Sequence, residues 1–181
     1  QPFLVPTLAE VIDAVDQYNE KTGKKIGIVP EIKHSSYFRS ININMEKALL
    51  ALLAEKKWDS KTDQVYIQSF EVSNLKELAT QSKYHLVQLL GDPAESPYDL
   101  KGKKTYRDMV TLEGLKEIRK YAQVLGPYKK YLVDENAKSE STMVPNDVMK
   151  NAKLLDFQVI PYTFRNESFF VMKPLTDPVK E

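Results

Sequence analysis

The sequence predicts a parallel α/β fold, and three observations carry that prediction. Short apolar, largely β-branched or aromatic runs begin near residues 26, 65, 85, 122 and 157. Each is followed by a helical pattern, which makes a βα array. The intervals are long enough for the crossover that parallel pairing requires, and none looks like a tight hairpin. Two architectures suit such an array: a doubly wound sheet and a (β/α)8 barrel. A complete barrel takes about 250 residues, so five units within these 181 residues form an incomplete one. Neither GxGxxG nor GxxxxGK[ST] occurs, which counts against a nucleotide-binding sheet.

Each element follows from local chemistry. Thr7-Leu8-Ala9-Glu10 reads as a capping box, and Leu8, Val11, Ile12, Val15 and Tyr18 then recur at helical spacing up to a stop at Gly23. Residues 26–32 read as a buried strand. Residues 44–58, rich in Ala and Leu, read as a second helix. A strand over 65–70 is backed by a short helix over 73–79, and 85–90 makes a third strand closed by Gly91-Asp92-Pro93. The stretch 92–104 reads as a polar loop. A helix over 111–120 precedes a weak strand at 121–125 and a loop turn at Gly126-Pro127. A helix over 145–154 leads to a fifth strand at 157–162. No repeat or internal boundary interrupts the chain, so residues 1–181 are read as one domain.

Composition narrows the function. With 26 Lys+Arg against 25 Asp+Glu, the net charge of +1 gives no footprint for nucleic acid. The longest apolar run, residues 48–54, is far short of the roughly 20 residues of a bilayer helix. Without cysteine there is no disulfide, thiolate nucleophile or iron–sulfur cluster. His34 and His85 are the only histidines, too few for a multi-histidine metal site.

In both architectures the ligand site lies at the C-terminal ends of the strands. Strand one ends Pro30-Glu31-Ile32-Lys33-His34, and alternation puts Glu31 and Lys33 on one face. Such a pair at a barrel mouth can hold a divalent cation and a phosphate together. It can equally be an exposed ion pair that contributes little. Strand two presents Tyr66, Gln68 and Phe70 on one face; strand three offers Gln88. Strand five ends at Tyr162 and Arg165, an aromatic ring to stack and a cation to grip an anion. His34 is read as a bystander, and His85 stands at the wrong end of its strand.

In order and spacing, Pro6-Thr7-Leu8-Ala9-Glu10, Pro30-Glu31-Ile32-Lys33, Gln68-Ser69-Phe70, Gly126-Pro127 and Pro161-Tyr162-Thr163-Phe164-Arg165 resemble the glycerophosphodiester phosphodiesterase family, in its longer, periplasmic or secreted type. The resemblance implies a TIM barrel that hydrolyses glycerophosphodiesters, deacylated phospholipids, to glycerol 3-phosphate and an alcohol in glycerophospholipid catabolism. It also implies a divalent cation, Ca²⁺ or Mg²⁺. By the same resemblance Glu31 is a metal ligand, Lys33 a catalytic residue that neutralises the phosphate, and Tyr162, Gln68, Arg165 and Phe70 are substrate-binding. The family's His-Arg-Gly, Glu-x-Asp and second catalytic His have no counterpart in these 181 residues. The match therefore covers the middle and later part of the barrel, without its N-terminal strands or last strand. The expectations are a fragment inactive alone, a periplasmic or secreted location, and missing barrel segments supplied in trans or a homo-oligomer. The competing readings are a non-catalytic barrel-derived binding or assembly module, and a different parallel α/β protein matched by coincidence.

Overall fold

Four strands form one parallel sheet in the computed structural model, which describes residues 4–133, 137–139, 144–177 and 179. They are β1 (Tyr66–Ser69), β2 (His85–Leu90), β3 (Val124–Pro127) and β4 (Gln158–Val159), hydrogen-bonded in chain order. Tyr66 stands opposite His85, Val87 opposite Val124, and Val124 opposite Gln158. The sheet is an open arc among the described residues. Among the described residues, seven α-helices connect or precede the strands: α1 (Leu8–Thr22), α2 (Ser35–Ser40), α3 (Met45–Glu55), α4 (Val72–Gln81), α5 (Tyr106–Met109), α6 (Leu112–Arg119) and α7 (Asp147–Leu154).

The expected first strand pairs with β1 but does not form a continuous ladder. Ile28 donates to the Gln64 carbonyl at 2.9 Å and Ile32 to that of Gln68 at 2.9 Å, with parallel bridges Ile28–Val65 and Glu31–Gln68. Between them the next donor would be Pro30, which has no N–H. The proline interrupts the ladder while its own carbonyl still accepts from Gln68 at 2.9 Å. At the far side, the pairing of β4 extends through Ile160 and Tyr162, whose N–H groups reach Leu125 and Pro127 at 2.8 and 3.1 Å. By alternation Pro161 turns its missing donor toward the open edge, where proline is tolerated.

Helix starts follow their caps. Thr7 and Glu10 exchange hydrogen bonds, the Thr7 N–H meeting Oε2 at 2.7 Å, and α1 ends at Gly23 with φ 71°. Asn44, Thr111 and Asn146 each accept from the backbone N–H three residues on, at 2.8, 3.1 and 3.1 Å. The start of α4 is capped from a distance: Asp99 Oδ2 accepts from the Val72 and Ser73 N–H groups at 2.9 and 2.6 Å. The 92–104 stretch is the expected loop, and that contact anchors it at a short 3₁₀ turn over Tyr98–Leu100.

Two expectations are corrected. β3 begins at Val124 rather than Tyr121, because Ala122 still donates to Ile118 at 2.9 Å and the Tyr121 hydroxyl is committed to Gln88 Oε1 at 2.8 Å. Gly126-Pro127 accordingly lies inside the strand and is not a loop turn. A Cβ at Gly126 would stand 2.6 Å from Leu89 Cδ2 and 3.1 Å from Val87 Cγ1, so glycine is what lets β3 sit against β2 here.

Alternation separates the two faces of the sheet. Ile67, Leu86, Leu90 and Leu125 join Leu75, Leu78, Leu115, Ile118 and Trp58 in one buried cluster under the helices. Val87, Leu89 and Val124 form a second, smaller cluster on the other face, covered by Tyr66, Phe70 and Tyr162.

Candidate active site

The inner face carries the candidate site, at the C-terminal ends of β1 to β4. Glu31 and Lys33 point the same way, as alternation requires, and Lys33 Nζ lies 2.8 Å from Glu31 Oε1. Glu31 is largely enclosed (20% exposed) while Lys33 is mostly free (66%), so the pair offers an anchored carboxylate and a reachable cation. Both line a cavity of about 320 Å³ together with His34, Phe70, Glu95 and Tyr106.

The backbone under that pair is fixed by buried polar side chains. Ser69 is fully buried; its hydroxyl donates to the Ile32 carbonyl at 3.2 Å and accepts from the Glu71 N–H at 3.1 Å and Asn74 Nδ2 at 3.0 Å. Glu71 accepts from the Ser36 N–H at 2.9 Å and from its hydroxyl. Behind them, Glu46 is buried between the Ser35 hydroxyl and Arg39, whose Nη2 lies 2.7 Å from Oε2. The segment from Ile32 to Ser36 is therefore held at both ends, and Lys33 and His34 project between the two ties.

An aromatic row continues the site across the sheet. Phe70 meets Tyr162 edge-on at 6.0 Å, and Tyr162 lies 6.1 Å from Tyr128. The Tyr162 hydroxyl donates to the Leu90 carbonyl at 2.9 Å. Burial, followed by the negative charge of Glu31, pushes the Tyr162 phenol up to about 12, so it stays neutral at physiological pH. The influence of Glu31 on Tyr162 puts the two in one electrostatic neighbourhood. Burial likewise raises Tyr106 well above the ordinary tyrosine range.

Of the residues singled out in the sequence, Glu31, Lys33 and Phe70 line one cavity, and Tyr162 adjoins it through Phe70. Gln68 is in register with Glu31, but its Nε2 turns to the Val29 carbonyl at 3.4 Å and it does not line that cavity. Arg165 belongs to a separate groove, its guanidinium 4.3 Å from the Phe170 ring centroid. Gln88 lies on the helix face, fully buried, with its amide given to the carbonyls of Phe70 and Leu89 at 3.1 and 3.0 Å. His85 stacks on Tyr66 at 4.6 Å, at the N-terminal end of the strands. Sequence reasoning missed Glu71, Glu95, Tyr98 and Tyr106 at the cavity wall. The available signal was Thr105-Tyr106-Arg107-Asp108, a capping box that starts α5 and turns Tyr106 back toward the strand ends.

A model of the glycerophosphoryl diester phosphodiesterase family matches residues 1–177. The chain belongs to that family. It is 29% identical over 178 residues to a glycerophosphodiester phosphodiesterase of Haemophilus influenzae, covering 92% of this chain and 49% of the relative. A Treponema pallidum protein of the same name is 29% identical over 144 residues, 73% of this chain and 40% of the relative. An Arabidopsis thaliana glycerophosphodiester phosphodiesterase is 30% identical over 107 residues, 59% and 28%. The chain thus spans about half the length, or less, of the curated relatives it matches. Phosphodiesterases of this family are TIM barrels, and the four parallel strands with their helices follow that βα pattern.

A family cation would need oxygen ligands, and Glu31 is the right donor type. Among the described residues no group of three or more His, Asp or Glu converges on one point. Glu31 can thus supply one ligand of such a site but not a set.

Proposed function

We propose that this chain forms part of a metal-dependent hydrolase that cleaves glycerophosphodiesters to glycerol 3-phosphate and an alcohol. The supporting observation is the Glu31–Lys33 pair, presented side by side into a 320 Å³ cavity at the C-terminal end of a parallel sheet. Lys33 places an ammonium where a phosphoryl oxygen can reach it, offsetting the charge that builds as water adds to phosphorus and the P–O bond to the alcohol breaks. Glu31 orients Lys33 and offers a carboxylate to a divalent cation, Ca²⁺ or Mg²⁺. When bound, such a cation would polarise the phosphoryl oxygen. Phe70 and Tyr162 wall the glycerol side and exclude water. Because no group of three or more His, Asp or Glu side chains converges with Glu31 among the described residues, these residues by themselves are expected to turn over no substrate.

The test uses the full-length protein. Glu31→Gln keeps the side-chain shape and removes the charge; the expected outcome is at least roughly a hundredfold loss of metal-dependent turnover of glycerophosphocholine. Thermal stability should be little changed, since an ion pair whose lysine is mostly exposed contributes about 1 kcal/mol or less. Activity surviving Glu31→Gln would overturn the assignment of Glu31.

A further inference from the structure

Among the described residues, those other than glycine with a left-handed backbone are His34 (φ 54°), Asn42 (64°), Lys57 (59°) and Asp156 (56°). Asn42, Lys57 and Asp156 follow the ends of α2, α3 and α7, and each takes part in a pair of bonds that closes its helix. At Lys57, for example, its own N–H reaches Ala54 at 3.0 Å and the Trp58 N–H reaches Leu53 at 2.8 Å. Such pairs satisfy the free carbonyls of a helix end and offset the cost of the left-handed turn. His34 stands instead at the entry of α2, where extended backbone is the rule, and its side chain makes no capping bond. Helix closure does not account for its conformation.

The conformation is imposed from both sides. The Ile32 carbonyl is held by the Ser69 hydroxyl at 3.2 Å, the Ser36 N–H by Glu71 at 2.9 Å, and buried Ser35 by Glu46. A strained residue persists only where its surroundings over-determine it, and such residues cluster at functional sites.

The result is a change of side. Alternation puts Glu31 and Lys33 on the inner face and Ile32 in the core, and position 34 would follow Ile32. His34 is instead exposed and lines the 320 Å³ cavity with Glu31 and Lys33. Its ring makes no hydrogen bond, ion pair or ring contact among the described residues, whereas His85 is stacked on Tyr66. Lys33 shares its ammonium with Glu31 at 2.8 Å. A phosphodiester presents two non-bridging oxygens, and an imidazole N–H on the adjoining residue is a donor for the second.

We propose that His34 contacts the substrate: its ring N–H donates to the phosphoryl oxygen that Lys33 leaves free, and the left-handed turn serves to bring it there. The inference rests on the phosphodiesterase reading above and deepens it. The test uses His34→Gly and His34→Asn in the full-length protein. Both residue types accept a left-handed backbone, and neither carries the ring. The expected outcome is a fall of at least roughly tenfold in kcat/KM for glycerophosphocholine, the scale of one hydrogen bond to a charged group. The melting temperature should stay level or rise, because the strain is relieved. That split between activity and stability is a readout that a purely structural histidine would not give.

A fall of less than about threefold in both variants overturns the inference and leaves the phosphodiesterase reading standing. A fall accompanied by a lower melting temperature in both also overturns it, because the histidine would then serve the turn. If the parent protein hydrolyses nothing, calorimetric titration with inorganic phosphate separates the two claims. Phosphate binding weakened about tenfold in His34→Asn would support the contact while the hydrolytic reading fails; phosphate binding unchanged in the variant would overturn the contact as well.

Discussion

The two faces of the sheet are built from the same strands and differ in almost everything else. On the helix face, Ile67, Leu86, Leu90 and Leu125 are at most 1% exposed and belong to a cluster that runs from α1 to α7. On the inner face, among the described residues, Val87, Leu89 and Val124 form a small buried cluster roofed by rings, while Ile160 is 39% exposed and Gln158 is open to solvent. One face accumulates apolar burial, at roughly 25 cal/mol per Å², and carries most of the stability. The other carries the carboxylate, the cations and the aromatic row. Because side chains alternate, neighbouring residues in one strand answer to different constraints, and substitutions one position apart should fail in different ways.

Leu125 and Gly126 make that contrast sharpest. Leu125→Ala deletes a side chain that is 1% exposed among the helices and should destabilise by about 2–5 kcal/mol, the range for cavity-forming core changes. Urea unfolding monitored by far-UV circular dichroism would show it. A loss below about 1 kcal/mol would mean that the helix face is not the main source of stability. Gly126→Ala points the other way, into Leu89 and Val87, and should cost about 1–3 kcal/mol through overpacking. Its clash falls on the inner face, so it should also displace the neighbouring aromatic row. Near-UV circular dichroism of the tyrosines is expected to change in Gly126→Ala more than in Leu125→Ala, relative to the stability lost. Equal changes would dissolve the distinction between the faces.

The same contrast explains what could be read from the sequence. The helix start at Thr7 was legible because a capping box is a local exchange of hydrogen bonds between residues three apart, and the caps at Asn44, Thr111 and Asn146 obey the same local rule. Short helices were not: α2 and α5, of six and four residues, are too brief to show a period. The start of α2 is further hidden because His34 enters it at φ 54°, a left-handed conformation that a histidine does not announce. Within the site, Glu31, Lys33 and Phe70 were legible because period-two alternation assigns them to one face. Glu95, Tyr98 and Tyr106 were not, because their placement depends on Asp99 reaching α4 across 27 residues. The separation of Arg165 from Glu31 depends in turn on the path of 163–173, a run of irregular backbone with no pattern to read.

The smallest expected effect probes a polar tie within the helix layer. Trp58 is wholly buried, and its Nε1–H donates to Asp16 Oδ2 at 2.9 Å, while Lys61 Nζ lies 2.6 Å from Oδ1. Partial burial acts to raise the Asp16 carboxyl, and the bonds from Lys61 and Trp58 outweigh it, leaving Asp16 below its ordinary value of 3.8. A carboxyl whose folded pKa is depressed binds its proton less readily than in the unfolded chain. It contributes stability above the unfolded value, and that contribution disappears as pH falls through the folded one. Asp16→Asn should therefore lower stability at pH 7 by no more than about 1 kcal/mol, the scale of a partly exposed ion pair. The gap between parent and variant should narrow as pH falls from 7 toward 2 and the Asp16 carboxyl takes up its proton. Urea midpoints at the two pH values decide it. A gap that persists at pH 2 would place the tie in packing around Trp58 rather than in charge, making the helix layer a purely apolar counterpart to the charged inner face.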